Sequence, residues 1–137
     1  MVSGDLGLND WDPVRGYVHG ILYQNHDDWH YQRISFYVRK PGTLLGQYAV
    51  QVLGQIGDKR GWPAIAETLP QLGPHDRTIG CEFMEPGRPV EEVYLKALAG
   101  IDADAARPIL RRYLGDTSKA YLHDCVMGLL AGAEAER

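Results

Sequence analysis

The chain has 137 residues, a formal net charge of −4 and an isoelectric point near 5.7, and 45% of its residues are apolar. This length suits one domain with its own core, and a mildly acidic chain is poorly matched to nucleic acid, whose phosphates attract basic surfaces. Two cysteines are too few for a disulfide framework. The N-terminus has no basic-then-apolar signal pattern and no apolar run approaches a membrane span, so we expect a cytoplasmic protein.

A leucine recurs along the chain within similar local phrases. Leu22, Leu53, Leu98 and Leu130 are separated by 31, 45 and 32 residues, and each follows an apolar residue. The surrounding phrases are ILYQNHD, VLGQIGD, ALAGID and LLAGAE. Self-similarity at a period of about 30 residues is typical of a stack of similar supersecondary units.

Around each of these leucines, apolar residues follow the spacing of one helical stripe. In the second unit, Leu45, Ala49, Val52 and Ile56 fall at i, i+4, i+7 and i+11. The equivalent slots of the other units are also apolar, with the single exception of Asn25 in the first unit. This agreement predicts that each unit begins with an amphipathic α-helix.

A second helix is predicted after the first in each unit. Gly57 ends the first helix of the second unit, and Asp58 is a suitable N-cap for the next one. Pro63 and Pro108 occupy equivalent slots, and proline is tolerated in the first turn of a helix. The segment ISFYV at 34–38 has strand propensity, but its register in the repeat predicts helix. The predicted helices span 12–24, 28–39, 43–56, 61–71, 90–101, 105–114 and 117–132.

Three phrases resemble HEAT-like repeats of the short bacterial type named after phycobilisome lyases: VLGQIGDKRGWPAIAETL (52–69), ALAGIDADAARPILRRYL (97–114) and, as a degenerate copy, ILYQNHDDWHYQRISFYV (21–38). The resemblance implies an all-α fold, an α-α superhelix or solenoid of about three and a half helix-pair repeats. It leaves 1–10 as an N-terminal tail and makes 11–137 a single repeat domain. The family includes lyases, regulatory scaffolds and enzymes, so the resemblance is specific for fold and not for activity.

The interval between the second and third units is about 13 residues longer than its neighbours. The excess lies at 73–89, GPHDRTIGCEFMEPGRP, and insertions in solenoids emerge as loops that often carry function. This insertion concentrates acid, base and thiol groups, which makes four residues candidates for catalysis: His75, Asp76, Cys81 and Glu82. The alternative is a neutral insertion whose apolar residues, Ile79, Phe83 and Met84, pack over a groove.

Three His-Asp pairs raise the question of a metal site. The pair at 26–27 lies in an inter-helix turn, and the pair at 75–76 lies in the insertion. The pair at 123–124 lies inside a helix that is predicted to be the first of its unit. Because these places are not equivalent in the repeat, a shared metal centre is disfavoured, and the chain has no CxxC pair for zinc. We therefore expect neither a metal nor a cofactor.

Two classes of function remain open. The first is a non-catalytic scaffold or regulatory module that binds a protein or peptide with its concave face and the insertion. Its candidate binding residues are Trp29, His30, Tyr31, Arg33, Tyr37, Glu67, Arg77, Arg111 and Arg112. The second is a small lyase-like enzyme or small-molecule binder with a His/Asp/Cys/Glu pocket between the first repeat and the insertion. Neither nucleic acid nor a membrane is expected as a partner.

Overall fold

The computed structural model describes residues 34–80 and 84–135, with side chains as far as residue 133. Its helices are α1 (Leu44–Ile56), α2 (Trp62–Thr68), α3 (Val90–Ile101), α4 (Ala103–Gly115) and α5 (His123–Ala135). Residues 34–38 are also helical. Short 3-10 segments lie at Lys59–Gly61, Leu69–Gln71 and Thr117–Leu122. These ranges contain no β-strand, and an isolated antiparallel bridge joins Arg77 to Pro89.

The prediction of an all-helical chain is confirmed over the described residues. The helices predicted at 43–56 and 90–101 match α1 and α3 closely, and the segment at 34–38 is helical despite its strand propensity. The helix predicted at 61–71 ends early as a 3-10 segment, where Pro70 has no N–H to continue the α-helical pattern. The helix predicted at 12–24 lies outside the described residues.

The predicted apolar stripe forms the core. In the described units every stripe position is buried except Ile56 and Leu129, which are partly buried. Tyr94, on α3, is fully buried, and its hydroxyl donates a hydrogen bond to the carbonyl of Val38 at 2.5 Å. Burial, together with the charge of Asp76, raises the pKa of Tyr94. This bond fixes the helical segment 34–38 to the middle of the molecule.

The turn between α1 and α2 forms as predicted. Gly57 adopts a left-handed conformation, with φ of 76°, and its N–H donates to the carbonyl of Leu53 at 2.9 Å. Asp58 then caps the following 3-10 segment by accepting a hydrogen bond from the backbone N–H of Arg60 at 2.9 Å. The chain therefore turns within a few residues between the end of α1 and the start of α2.

The two prolines that occupy equivalent slots in the sequence lie at different positions within their helices. Pro63 lies in the first turn of α2, as predicted. For Pro108 the prediction is wrong, because it lies inside α4. Asp102 starts this helix early by accepting a hydrogen bond from the N–H of Ala105 at 3.1 Å. Pro108 therefore leaves the carbonyl of Asp104, four residues earlier, without its usual helical donor.

Helix α3 lies at the centre of the packing, where it contacts α1, α2, α4 and α5. Its contact with α1 is the closest. A Cβ atom added at Gly54 would lie 2.6 Å from the Cα of Ala97, and one added at Gly100 would lie 2.5 Å from the carbonyl oxygen of Gly54. The two backbones therefore touch where Gly54 and Gly100 leave no room for a Cβ atom. No helix in the described ranges has the length and apolar character needed to cross a membrane.

Candidate functional site

Within the described part of the insertion at 73–89, a buried threonine holds the two arms of the loop together. The N–H of Thr78 donates to the carbonyl of Arg88 at 2.7 Å, and its carbonyl accepts from the N–H of Gly87 at 3.0 Å. Its hydroxyl donates to the carbonyl of Glu85 at 2.6 Å and accepts from the N–H of Arg88 at 2.9 Å. Thr78 thus joins both arms of the loop through four hydrogen bonds.

A buried glutamine on α1 attaches this loop to the helices. Gln47 is completely inaccessible to solvent. Its side-chain oxygen accepts a hydrogen bond from the N–H of Ile79 at 2.8 Å, and its amide nitrogen donates to the carbonyl of Pro41 at 2.8 Å. Both ends of the amide are therefore satisfied without water. The loop consequently has a fixed position over α1.

Beside the loop, a groove of about 560 Å³ opens between α1 and α3. Its floor includes Gly54 and Ala97, the small residues at which the two helices touch. Its walls include polar residues from α1, the loop and α3: Gln51, Gln55, Thr78, Glu85, Arg88, Glu92 and Lys96. Met84 and Val93 add apolar surface. We call this concavity the α1–α3 groove.

A second groove, also of about 560 Å³, lies on the other side of α3, toward α5. We call it the α3–α5 groove. It shares Arg88, Glu92 and Lys96 with the first groove and adds Tyr121, Asp124, Cys125, Gly128 and Leu129. Glu92 and Lys96 are spaced four apart on α3, and Arg88, just before the helix begins, pairs with Glu92, so the three form one polar row that borders both grooves.

The charges of this row are not equivalent. Arg88 donates two hydrogen bonds to Glu92, from Nε to Oε1 at 3.1 Å and from Nη2 to Oε2 at 2.8 Å. These bonds and the charge of Glu92 raise the pKa of Arg88. Lys96 is exposed, and its ammonium makes no hydrogen bond or ion pair within the described part of the chain. The row therefore presents one neutralised pair and one available cation.

The thiol of Cys125, in the α3–α5 groove, is held in its protonated form. Burial and the negative charge of Glu92 raise its pKa above the ordinary value. Because the thiolate is the reactive form, this environment makes Cys125 a poor nucleophile near neutral pH. Its surroundings favour a structural part in the groove wall.

A buried ionic cluster connects the start of α3 to the 3-10 segment before α5. Glu91 is completely buried and accepts hydrogen bonds from the ammonium of Lys119 at 2.6 Å and from the hydroxyl of Tyr121 at 2.5 Å. Lys119 also donates to the carbonyl of Leu72 at 3.3 Å. Burial opposes its charge, but the hydrogen bond and charge of Glu91 outweigh it and raise the pKa of Lys119. The cluster thereby links the second unit, α3 and the entry to α5.

Of the candidate catalytic residues, the structure describes His75 and Asp76, and neither lines either groove. His75 is exposed in the loop, and Asp76 accepts a hydrogen bond from the N–H of Gly73 at 2.8 Å, which stabilises the turn. Cys81 and Glu82 lie outside the described residues. Among the residues that are described, no group of three or more His, Cys, Asp or Glu side chains is arranged to hold a metal ion.

The predicted binding residues lie on other surfaces. Glu67 is exposed on α2 and forms an ion pair with Arg39 at 3.0 Å, while Tyr37 is partly buried. Arg77 is exposed in the loop, and Arg111 and Arg112 are exposed on α4. None of these lines the two grooves. Four more lie outside the described residues: Trp29, His30, Tyr31 and Arg33.

The polar residues that line the grooves were not among the candidates predicted from the sequence. Gln51 and Gln55 on α1, and Glu92 and Lys96 on α3, are each spaced four residues apart on helices that flank the insertion. That spacing was a usable signal, because it places each pair on one helix face. A solvated helix surface has the same pattern, so the spacing alone does not identify a groove.

No family model, no curated protein and no solved structure matches this chain. Its function is therefore inferred from the grooves and from the chemistry of the side chains that line them.

Proposed function

We propose that this protein is a HEAT-like helical-repeat protein whose function is non-catalytic binding of an extended peptide segment in the α1–α3 groove. The observation that carries the proposal is the facing arrangement of two polar walls above a floor of small residues. Gln51 and Gln55 lie on one side, Glu92 and Lys96 lie on the other, and Gly54 lies at the floor. The bound segment belongs to a partner protein in this proposal.

The contacts between repeat-equivalent helices support the repeat part of the proposal. Helices α1, α3 and α5 carry the same apolar stripe, and α3 contacts both of the others. Stacking of equivalent helices, with the second helix of each unit alongside, is the arrangement that defines an α-α superhelix. It also leaves a furrow between successive first helices wherever their outward side chains are short.

The chemistry of the groove walls favours a peptide. A side-chain amide offers one acceptor and two donor hydrogens, which complements the alternating C=O and N–H groups of an extended backbone. The amide of Gln55 is exposed and makes no hydrogen bond within the described residues. It is therefore available to a ligand without the loss of an internal bond.

Three of the polar groups that line the groove are already engaged. The hydroxyl of Thr78 both donates and accepts within the loop, and Arg88 and Glu92 neutralise each other. A catalytic group must have its reactive atom free to exchange a proton or attack a substrate. The engagement of these three groups supports binding in this groove, while the lyase-like alternative places its pocket elsewhere, between the first repeat and the insertion.

A matched pair of groove-filling and control variants tests this proposal. Random linear peptides displayed on phage would be selected against the immobilised protein, and the enriched peptides measured by isothermal titration calorimetry. We expect Gln55→Trp, which fills the groove, to weaken these peptides about tenfold or more. Gln71→Trp places the same side chain at an exposed position outside both grooves and should leave affinity unchanged. Absence of enriched peptides, or equal binding to both variants, would refute the proposal.

A further inference from the structure

Resting on the proposed peptide-binding function, we infer that the site is selective for segments that carry an acidic side chain, with the ammonium of Lys96 as the specificity-determining group. Lys96 lines both the α1–α3 groove and the α3–α5 groove. A segment that crosses α3 from one groove to the other passes over the row of Arg88, Glu92 and Lys96, in which Lys96 carries the unpaired charge. Its chemistry decides which residue the segment carries at the crossing point.

The local charge balance makes Lys96 the centre of recognition. Both carboxylate oxygens of Glu92 accept hydrogen bonds from Arg88, so that pair contributes no net charge. The Lys96 ammonium has no such partner within the described ranges. A carboxylate from a bound segment would complete a charge-assisted hydrogen bond, which is stronger than a bond between neutral groups.

The surroundings also specify what lies on each side of the acidic residue. Glu85 lines only the α1–α3 groove, and Asp124 lines only the α3–α5 groove. Both side chains are exposed, and neither carboxylate forms an ion pair within the described part of the chain. The complementary segment is therefore acidic where it meets Lys96 and basic toward either groove, because opposite charges are steered together and like charges are rejected.

A double-mutant cycle between protein and peptide tests the inference. The probe is the tightest peptide from the phage selection and a synthetic version in which its acidic residue is replaced by the corresponding amide. We expect Lys96→Met to weaken the acidic peptide roughly tenfold and to leave the amide peptide unaffected. Lys96→Arg, which keeps the charge, should retain most of the affinity. The affinity of the unmodified protein should fall as NaCl is added, and that of Lys96→Met should fall less.

The control is Lys59→Met, which removes an exposed lysine that lies 3.9 Å from Asp102 and borders neither groove. Binding of both peptides should be the same for this variant and the unmodified protein. If Gln55→Trp blocks binding but Lys96→Met weakens the acidic and amide peptides equally, the acidic specificity is wrong and peptide binding stands. If selected peptides are not enriched in Asp or Glu, the inference also fails. If nothing is selected, both proposals fail.

Discussion

The two sides of α3 are joined to their neighbours by different chemistry. Toward α1, the helices touch through backbone atoms at Gly54, Ala97 and Gly100. Toward α5, the connection depends on a buried carboxylate, Glu91, which holds Lys119 and, through it, the end of the preceding unit. Two neighbours of the same helix are therefore held to it by different kinds of interaction. One depends on the absence of side chains, and the other on a long-range charge pair.

The largest effect is expected on the α5 side. Lys119→Met would leave the Glu91 carboxylate, which is completely buried, without its cation. Removing one partner of a buried pair is strongly destabilising, and we expect a loss of about 3 kcal/mol in the free energy of unfolding, measured with urea. Lys59→Met, at an exposed lysine, should change it by less than about 0.5 kcal/mol. Similar losses for both variants would show that the cluster does not stabilise the fold.

The same cluster predicts a loss of stability at high pH. The pKa of Lys119 and the pKa of Tyr121 are both raised in the folded protein. A raised pKa means that the folded state holds its proton more tightly than the unfolded state does. The contribution of these two groups to stability is therefore complete below their unfolded pKa values of about 10. It is lost as pH rises through their pKa values in the folded protein. The difference in stability between the unmodified protein and Lys119→Met should therefore shrink above about pH 10.

The next effect concerns the α1 side. Gly54→Ala would place a Cβ atom 2.6 Å from the Cα of Ala97, a backbone atom that cannot move without separating the helices. We expect a loss of about 2 kcal/mol in the free energy of unfolding. Gly132→Ala, in α5, adds the same atom where nothing lies within 4 Å, and should stabilise by about 0.5–1 kcal/mol through helix propensity. Equal and stabilising changes at both positions would contradict the close approach of α1 and α3.

These two sides also differ in how far they could be predicted from sequence. The stripe through Leu45, Ala49 and Val52 was predictable because burial at the helical period leaves a local pattern. The Glu91 slot corresponds to Gly46 in the preceding unit and to His123 in the next. Nothing in that comparison indicates that Glu91 is buried, because its partner Lys119 lies 28 residues away and no local spacing connects them.

The grooves were unpredictable for a related reason. Helical spacing shows that Gln55 and Lys96 are polar outward residues of their helices. It does not show the distance between α1 and α3, which depends on Gly54 and Gly100 meeting the facing backbone. The predicted insertion was a local feature of the sequence, but the importance of Thr78 depends on hydrogen bonds to residues up to ten positions away. Such hydrogen-bond partners are determined by the folded loop and leave no local pattern in the sequence.

The smallest expected effect tests whether polar contacts also stabilise the α1 side of α3. Gln47→Leu keeps a buried side chain of similar size but leaves the N–H of Ile79 and the carbonyl of Pro41 without their partner. We expect a loss of about 1–2 kcal/mol in the free energy of unfolding, and faster hydrogen exchange at the Ile79 amide. Gln55→Leu removes an exposed amide from the same helix and should cost less than about 0.5 kcal/mol. If Gln47→Leu leaves Ile79 exchange unchanged, Gln47 does not hold the loop. If exchange at the Ile79 amide rises while the α1–α3 contact persists, the loop is stabilised separately from the helices. The polar wall that the loop contributes to the groove then depends on the side-chain amide of Gln47.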